Sequence, residues 1–368
     1  MNHLLYLVLK KSKLNRFIYR KGLCNHHGGV EVTPRTVAQA EQLLQACQTD
    51  PHHSCRCQHQ VSASPQYDLQ IVVPAYNVEK YIRACLDSVL AQKTTFSYLV
   101  KVINDGSTDH TAQILASYQD RPAVQVIHQS NKGFSGARNT GLQHIDARYV
   151  MFLDSDDLLA PGAIQALLEA AQRTGADIVE GSSVKFLGPW VTKHFRHIEA
   201  EAVKTDQLFG FSWGKVFRAT LFEHVQFPEE YWFEDTVCAL ILHPMAQHIS
   251  TITHPVYRYR TNFKGISRNF RGKSKCLDSF YITRQLWADR MAMGWPADEH
   301  WAQKLAWQFK LNARRIASLH NEAVDQAVFV LQSQLMQTYF ASVKTEDVLV
   351  QALLEGDYEA FQWQMKWL

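Results

Sequence analysis

The chain has 368 residues, 46% of them hydrophobic and 20% charged, which is the composition of an ordinary folded protein. This length is enough for one large domain with additions. The formal net charge of +3 is too small to indicate nucleic acid as a partner, and no stretch has the roughly 18 apolar residues that a membrane span needs. Seven cysteines, an odd number scattered along the chain, do not indicate a disulfide framework and predict a reducing, cytoplasmic compartment.

The N-terminal extension, predicted to span residues 1–65, begins with a basic amphipathic pattern. Lysines and arginines cluster in residues 1–21, where Leu14, Phe17 and Ile18 fall on one face of a helix. Two interpretations are open. This helix could lie peripherally on the anionic inner face of the cell membrane, or it could be a solvated helix packed on the rest of the protein.

The end of the extension is rich in cysteine and histidine: His52, His53, Cys55, Cys57 and His59. Thiolate and imidazole are ligands that suit zinc. However, Cys-x-Cys is not the usual zinc clip, and no second paired set of ligands lies at standard spacing. A polar linker is therefore the favoured interpretation.

Between residue 69 and residue 175, strand-like and helix-like segments alternate. Strands are predicted over residues 71–73, 100–103, 124–127 and 149–153, and helices after Pro34 and over residues 79–92, 107–118, 136–144 and 161–175. Repeated βα units predict a mostly parallel sheet with helices on both faces. Ligands of such sheets bind beyond the carboxyl ends of the strands. Four polar residues directly follow the strands and are expected to gather there: Asn77, Asp105, Lys132 and Asp154.

The junction of Tyr149–Leu153 with Asp154-Ser155-Asp156-Asp157 is the most informative feature of the sequence. An apolar strand delivers three carboxylates to a single point. Hard cations such as Mg²⁺ and Mn²⁺ prefer carboxylate oxygens and usually keep positions open for substrate phosphates. A lone D-x-D is weak support for a metal site, because acidic loops after strands are common.

Four further segments accompany the acidic loop: Leu69–Asn77, Val100–Asp109, Asn131–Asn139 and Phe233–Asp235. In this order they resemble the family 2 glycosyltransferases, and the resemblance covers roughly residues 66–270. It implies a GT-A fold, which is an α/β fold with a Rossmann-like, mostly parallel sheet flanked by helices. It also implies transfer of a sugar, with inversion, from a nucleotide diphosphate donor.

The resemblance assigns nucleotide contacts to the segments that follow the first strands. Asp105 would accept a hydrogen bond from uracil, although an Asp beside Gly106 could instead make a tight turn. The loop with Pro74, Tyr76 and Asn77 looks like the first nucleotide-contacting loop. The Tyr76 ring could pack near the base or be a core aromatic.

The segment that contains Lys132 matches the lining of the nucleotide pocket in the family. Arg138 in this segment could contact phosphate, or it could tie the acidic loop in place by a buried ion pair. Lys215, in Trp-Gly-Lys, could contact the diphosphate or an acceptor group, or it could simply be a solvent-exposed residue of a turn. Arg260, in a basic segment after the proposed base, could close over the diphosphate.

The resemblance places the metal, Mn²⁺ or Mg²⁺, on the D-x-D. Asp156 would ligate it, and Asp154 would contact ribose or reach the metal through water, with Ser155 between them near the nucleotide. The metal would neutralise the leaving diphosphate. For Asp157 a structural role is preferred, either as a supporting partner or as a carboxylate at a helix N-terminus.

The pair Glu234-Asp235 is the candidate for acid–base chemistry. By resemblance, Asp235 is the general base that takes the proton of the acceptor hydroxyl, and Glu234 contacts a sugar. The alternative is that both carboxylates merely stabilise the start of the helix-like run that follows.

The chain is thus predicted to have a catalytic domain over residues 66–275 and an α-helical region over 276–368. It has neither the Q-x-x-R-W motif nor the membrane spans of the processive synthases, which favours addition of a single sugar. The predicted activity is metal-dependent transfer of a hexosyl or N-acetylhexosaminyl group, with a UDP-sugar as the favoured donor. The expected acceptor is a glycan, lipid-linked or cell-surface polysaccharide.

Two rival functions are open. A nucleotidyltransferase would typically bring a Gly-rich phosphate loop, whereas the first strand here ends in Pro-Ala-Tyr-Asn. A catalytically silent scaffold that binds carbohydrate or nucleotide sugar would be favoured by loss of Asp156 or Asp235, and both are present.

Overall fold

The structure, a computed structural model, describes residues 29–262, 265 and 269–366. The chain divides into two compact units, one of residues 53–265 and one that joins the residues up to 52 with those from 266 onwards. The sequence predicted boundaries near residues 65 and 275 instead. The basic helix predicted for residues 1–21 lies outside the described residues.

The elements of the described chain are as follows. The strands are β1 (Gln60–Val61), β2 (Tyr67–Ala75), β3 (Tyr98–Asp105), β4 (Val124–Gln129), β5 (His144–Ile145), β6 (Ala147–Phe152), β7 (Leu158–Leu159), β8 (Ile178–Leu187), β9 (Trp190–Phe195), β10 (Lys215–Arg218) and β11 (Ile249–Arg260). The helices are α1 (Pro34–Cys47), α2 (Ile82–Leu90), α3 (Thr111–Ala116), α4 (Gly133–Leu142), α5 (Ala163–Thr174), α6 (His243–Met245), α7 (Asp278–Ala292), α8 (Glu299–Ile316), α9 (Glu322–Phe340), α10 (Val348–Glu355) and α11 (Tyr358–Met365).

The main sheet of the 53–265 unit is mixed, with the strand order β4-β3-β2-β6-β10-β8-β11-β7 and with β9 paired to β8. β2 runs parallel to β3 and β6, β3 runs parallel to β4, and β8 runs parallel to β11. β10 is antiparallel to both β6 and β8, so β6 and β8 point the same way. The carboxyl ends of β2, β3, β4, β6, β8 and β11 therefore lie at one edge, which we call the carboxyl edge. The predicted α/β fold with a mostly parallel sheet is confirmed.

The central strands are continuous apolar runs because helices cover both faces of the sheet. Ile71, Val72 and Val73 of β2 are completely buried. A Cβ atom at Gly141 of α4 would lie 2.4 Å from Val72 Cγ1, so glycine at this position lets the helix backbone approach the strand. Helix α5 ends at Gly175, which has the left-handed φ of 66° expected for a C-terminal glycine.

The stretch rich in cysteine and histidine is packed and is not the polar linker predicted from the sequence. The amide of Cys57 donates to the carbonyl of His224 at 3.2 Å, and the amide of Gln226 donates to the carbonyl of Cys55 at 2.8 Å. Cys55 is fully buried, and burial raises the pKa of Cys57 to about 11, which keeps its thiol protonated. These contacts are the reason why this stretch belongs to the 53–265 unit.

The second unit is helical, as the sequence predicted for the C-terminal region. Helix α1 packs on α9, and Trp287 of α7 is completely buried. Arg284 of α7 donates to Glu41 Oε1 at 2.5 Å and to Asp50 Oδ2 at 2.7 Å, so that two ion pairs tie α1 and the segment after it to α7. Among the described residues, no helix combines the length and the apolar character that crossing a membrane requires.

Candidate active site

Asp105 lies at the end of β3 on the carboxyl edge and is only 2% exposed. Its Oδ1 accepts hydrogen bonds from the side-chain amide of Gln129 at 2.7 Å and from the backbone amide of Lys132 at 2.8 Å. Gly106 follows with a φ of 73°, and a Cβ atom there would lie 2.9 Å from the backbone nitrogen of Asn131. The ends of β3 and β4 and the start of α4 therefore meet at Asp105, as expected from the strand ends.

The loop after β2 is hydrogen-bonded to the loop after β3 and exposes the ring of Tyr76. The Asn77 carboxamide oxygen accepts from the amide of Thr108 at 2.8 Å and from the amide of Asp109 at 3.4 Å. This predicted nucleotide contact is thus engaged in holding the loop after β3. The core alternative for Tyr76 is wrong, because the side chain is 50% exposed, whereas Pro74 is half-buried in β2.

Arg138 of α4 is 4% exposed and joins two carboxylates. Its Nη1 donates to Glu234 Oε1 at 2.5 Å, and its Nη2 donates to Asp154 Oδ1 at 2.8 Å. Burial alone would lower the pKa of Arg138, but the charges of Glu234 and Asp154 raise it above its ordinary value. The sequence left two roles open for Arg138, contact with phosphate and a buried ion pair, and the structure shows the buried ion pair.

Asp157 ties the acidic loop to β11. Its Oδ2 accepts from the Tyr257 hydroxyl at 2.8 Å, and its Oδ1 accepts from the amide of Arg260 at 2.5 Å. The Nε of Arg260 donates to the carbonyl of Asp156 at 2.6 Å, so the residue predicted to close over the diphosphate also holds the loop. Burial raises the pKa of Asp157 well above its ordinary value, and the charges of Asp156 and Asp154 act in the same direction. Asp157 is therefore a supporting partner, and it precedes β7 rather than a helix.

The remaining two carboxylates of the acidic loop suit a hard cation. The Asp154 side chain is 28% exposed, and Asp156 Oδ2 accepts from Asn262 Nδ2 at 2.9 Å. Burial raises the pKa of Asp156, and the negative charge of Asp154 raises it further. A bound cation would counter both effects because it stabilises the ionised carboxylates. Across residues 29–262, 265 and 269–366, no group of three or more His, Cys, Asp or Glu is placed to hold a metal ion. A cation on two carboxylates would take its other ligands from phosphate or water.

Glu234 and Asp235 lie at the start of a helical segment at the same edge. Asp235 is half-buried, and its Oδ1 accepts from the amide of Ser212 at 3.1 Å. Burial raises the pKa of Glu234 to about 7, and the charge of Asp235 adds to this effect and outweighs the opposing ion pair with Arg138. Burial also raises the pKa of Asp235.

The backbone around this pair is unusual. Glu230 and Phe233 have left-handed φ values of 67° and 66°, which non-glycine residues seldom adopt. The helical segment continues as a π-helix over Cys238–Leu242. Strained backbone and π-helical turns are both enriched at functional sites.

The ammonium group of Lys215 is engaged in a buried ion pair with Glu180, contrary to the predicted contact with the diphosphate or an acceptor group. The residue is completely buried. Its Nζ lies 2.8 Å from Glu180 Oε1 and donates to the carbonyl of Phe209 at 2.6 Å, with His243 Nε2 3.4 Å away. The surface alternative for Lys215 is wrong for the same reason.

The Lys215–Glu180 pair holds a loop that reaches the proposed base. Glu180 Oε2 accepts from the amide of Phe209 at 3.0 Å, and three residues later the amide of Ser212 donates to Asp235. Sequence analysis missed Glu180 and Ser212. The available signal was a glutamate inside the apolar run of β8, since buried carboxylates are normally paired.

A stack of aromatic rings connects the Trp-Gly-Lys segment to the acidic loop. The ring centroids of Trp213 and Tyr257 are 4.5 Å apart at 15°, and those of Trp213 and Phe211 are 4.5 Å apart at 8°. The Tyr257 hydroxyl also accepts from the amide of Asp154 at 3.2 Å. The packing of Trp213 thus positions the strand that anchors the acidic loop.

A cavity of about 410 Å³ lies at the opposite edge of the sheet, lined in part by Asp68, Arg148 and Arg218. None of the predicted site residues lines it. The chemistry-bearing side chains instead cluster at the carboxyl edge, as expected for an open α/β sheet.

Comparison with solved structures identifies the fold. The structure of S. aureus TarS 1–349 aligns with this chain with a TM-score of 0.59 at 18% sequence identity. The alignment covers 81% of this chain and 90% of the TarS chain. The same TarS fragment in complex with UDP-GlcNAc gives a TM-score of 0.60 at the same identity. The fold is therefore the GT-A fold of glycosyltransferases, with a helical region added.

Comparison with sequences identifies the family. Residues 70–237 match the family model described as "Glycosyl transferase family 2", and the chain therefore carries a family 2 glycosyltransferase domain. "Glycosyltransferase GlyA" of Streptococcus pneumoniae is 30% identical over 256 residues, which are 64% of this chain and 36% of that protein. "Uncharacterized glycosyltransferase EpsJ" of Bacillus subtilis is 33% identical over 211 residues, 53% of this chain and 61% of that protein. The chain thus spans less than two thirds of both relatives.

Proposed function

We propose that this chain transfers a single sugar from a UDP-sugar to an acceptor hydroxyl, with inversion, and that Asp235 is the general base. The observation that carries the proposal is the buried ion-pair network in which Arg138 joins Asp154 of the acidic loop to Glu234 beside the base. The network supports the proposal because it holds the acidic loop, where we propose the donor diphosphate, close to a half-buried carboxylate that can accept a proton.

In the proposed reaction, Asp235 takes the proton of the acceptor hydroxyl as that oxygen attacks the anomeric carbon. The new carbon–oxygen bond forms on one face of the sugar while the bond to the diphosphate breaks on the other, and the nucleoside diphosphate leaves. The hydrogen bond from the Ser212 amide orients the Asp235 carboxylate. Proton transfer to a positioned carboxylate contributes about 10²–10⁴-fold to such rates.

Mn²⁺ or Mg²⁺ is the cofactor that we propose for Asp156 and Asp154. When bound there, the cation neutralises charge on the leaving diphosphate. Asp105 is the proposed partner of the uracil, and the exposed ring of Tyr76 is free to pack near the base. The UDP-GlcNAc complex of TarS, which shares the fold, supports a UDP-sugar donor and an N-acetylhexosaminyl or hexosyl group.

The proposed acceptor is a glycan, lipid-linked or cell-surface polysaccharide, with the protein in the cytoplasm or peripheral on the inner face of the cell membrane. This part of the proposal rests on analogy with the bacterial glycosyltransferases to which the chain is similar. A silent scaffold that binds a nucleotide sugar without transferring it is the alternative that the same experiment tests.

The test is release of nucleotide from a panel of UDP-, GDP- and dTDP-sugars with Mn²⁺. EDTA and the variants Asp156→Ala and Asp235→Asn are compared with Asp120→Asn, which changes an exposed carboxylate elsewhere on the same unit. We expect release from one UDP-sugar that both EDTA and Asp156→Ala abolish.

Calorimetry of UDP binding in the presence of Mn²⁺ distinguishes the proposed roles of Asp235 and Asp156. Asp235→Asn is expected to bind UDP as the wild type does while losing activity, whereas Asp156→Ala is expected to lose metal-dependent binding. Binding of UDP with no release from any donor or acceptor would favour the silent scaffold. Absence of metal-dependent UDP binding in the wild type would contradict the proposed function.

A further inference from the structure

The hairpin of β8 and β9 extends from the carboxyl edge of the sheet, where the donor site is proposed. β8 runs parallel to β6, so its last residue, Leu187, lies at this edge. β9 returns antiparallel to it, with Leu187 opposite Trp190 and Ser183 opposite Phe195. The turn between the strands contains Gly188, which has a left-handed φ of 57°.

The tip of this hairpin is apolar and exposed. Trp190 is 75% exposed, Val191 is 48% exposed and Leu187 is 42% exposed. No residue between Phe186 and Thr192 carries a charge. Large apolar side chains that cluster in this way at the end of a projecting element mark an interaction surface rather than a packing element.

A band of basic residues lies directly behind the apolar tip. Lys185 of β8 is paired in register with Lys193 of β9; His194 follows in β9, and Arg196 comes directly after the strand. Lys185 lies two positions before Leu187, and Lys193 lies two positions after Val191, which corresponds to about 7 Å along a strand. The sequence from residue 181 to residue 198 contains no aspartate or glutamate.

The cross-strand lysine pair is unfavourable for the isolated hairpin. Like charges directly opposite each other in a sheet destabilise it. The Nζ atoms lie instead over aromatic rings, Lys185 over Tyr259 at 5.0 Å and Lys193 over Phe195 at 4.8 Å. An anionic partner would remove this repulsion, so the band is complementary to negative charge.

We propose that the β8–β9 hairpin inserts its tip into an anionic lipid surface. Trp190, Leu187 and Val191 would lie at the boundary between headgroups and acyl chains, and the lysines would lie at the level of the headgroup phosphates. Tryptophan with flanking long cationic side chains is the composition that suits this boundary. Leucine and valine offer no hydrogen bonds to a sugar, so the chemistry of the tip favours lipid over a soluble glycan.

The position of the hairpin gives the contact a consequence for the site. A membrane that holds the tip faces the carboxyl edge, which is where an acceptor has to reach Asp235. Lipid binding itself requires no sugar transfer, so it is tested without any measurement of activity, and metal-dependent UDP binding by the same preparation reports separately on the donor site.

The test is flotation of the full-length protein with vesicles of phosphatidylcholine alone or mixed with phosphatidylglycerol. The variant Leu187→Ser/Trp190→Ser is compared with Trp307→Ser, which removes a tryptophan that is 42% exposed in the helical unit. We expect the hairpin variant to bind anionic vesicles at least about tenfold more weakly and the Trp307 variant to bind like the wild type.

The charge contribution is tested with the variant Lys185→Gln/Lys193→Gln. The matched control is Lys93→Gln/Lys344→Gln, which changes two exposed lysines elsewhere. Loss of two headgroup contacts should weaken binding about 30-fold and make it less sensitive to salt. Equal binding by both hairpin variants and the wild type would overturn the proposal and assign any membrane contact to another segment, such as residues 1–21. Failure of the wild type to bind anionic vesicles would also overturn it.

Discussion

Replacement of Arg138 by methionine should destabilise the protein strongly, and more so as the pH rises. Methionine keeps an apolar side chain near Phe227, whose ring centroid lies 5.3 Å from the guanidinium, but it removes both charge-assisted hydrogen bonds of Arg138. The side chains of Arg138 and Glu234 are 5% and 11% exposed, so water cannot replace the lost partner. Removal of one member of a buried pair costs about 3–5 kcal/mol.

The pH dependence follows from the carboxyl group of Glu234. In the unfolded chain this group releases its proton near pH 4.3, whereas in the folded protein its pKa is about 7. Between these values the folded state binds more protons, so stability falls as the pH rises through this window. Without Arg138 the pKa of Glu234 rises further, and the gap in stability between variant and wild type should widen with pH.

The assay is urea denaturation of both proteins at about pH 5.5 and about pH 8, on either side of this pKa. Arg173→Met is the control, since Arg173 is 50% exposed and pairs with the exposed Glu199 and Glu201. Removal of such surface pairs should cost at most about 1 kcal/mol. If Arg138→Met cost no more than this control at the higher pH, the reasoning from the buried network would be refuted.

Three further predictions concern the same unit. Gly106→Ala should destabilise the protein more than Gly133→Ala and weaken UDP binding by calorimetry. Both glycines have left-handed φ values, but only at Gly106 would Cβ meet the backbone, at 2.9 Å; equal costs would contradict this. Lys215→Met should lower kcat by about 10²-fold through misplacement of Asp235, with little change in the KM for donor; a change in KM alone would argue against this positioning role. Glu234→Gln should reduce the loss of wild-type stability between about pH 4.3 and about 7, as measured by thermal unfolding, and an unchanged slope would show that the loss comes from other carboxyl groups.

The arrangement of the carboxyl edge could be predicted from the sequence because it depends on local patterns. Asp105 and Asp154 directly follow apolar strands, and parallel strands bring their ends together. Helix α1 could also be located, since Pro34 precedes apolar residues at helical spacing. Its packing on α9 could not be predicted, because nothing in the periodicity of one helix specifies a distant partner.

The sequence could not settle the roles of the two basic side chains. Arg138 pairs with Glu234, which lies 96 residues later in the chain, and only the folded backbone brings the two together. Lys215 looks like a surface or ligand residue in its local sequence, and its burial depends on Glu180 in a neighbouring strand. Long-range pairing of charges is therefore the part of the site that sequence patterns did not supply.

The position of Arg138 between Asp154 and Glu234 makes the two halves of the site thermodynamically dependent on each other. A ligand that binds Asp154 weakens its ion pair with Arg138 and thereby changes the pKa of Glu234. The protonation state of Glu234 in turn changes the affinity of Asp154 for that ligand. By the reciprocity of linked equilibria, occupation of the acidic loop and deprotonation beside Asp235 must alter each other by the same factor. A single buried guanidinium thereby makes the charge state beside Asp235 depend on what occupies the acidic loop.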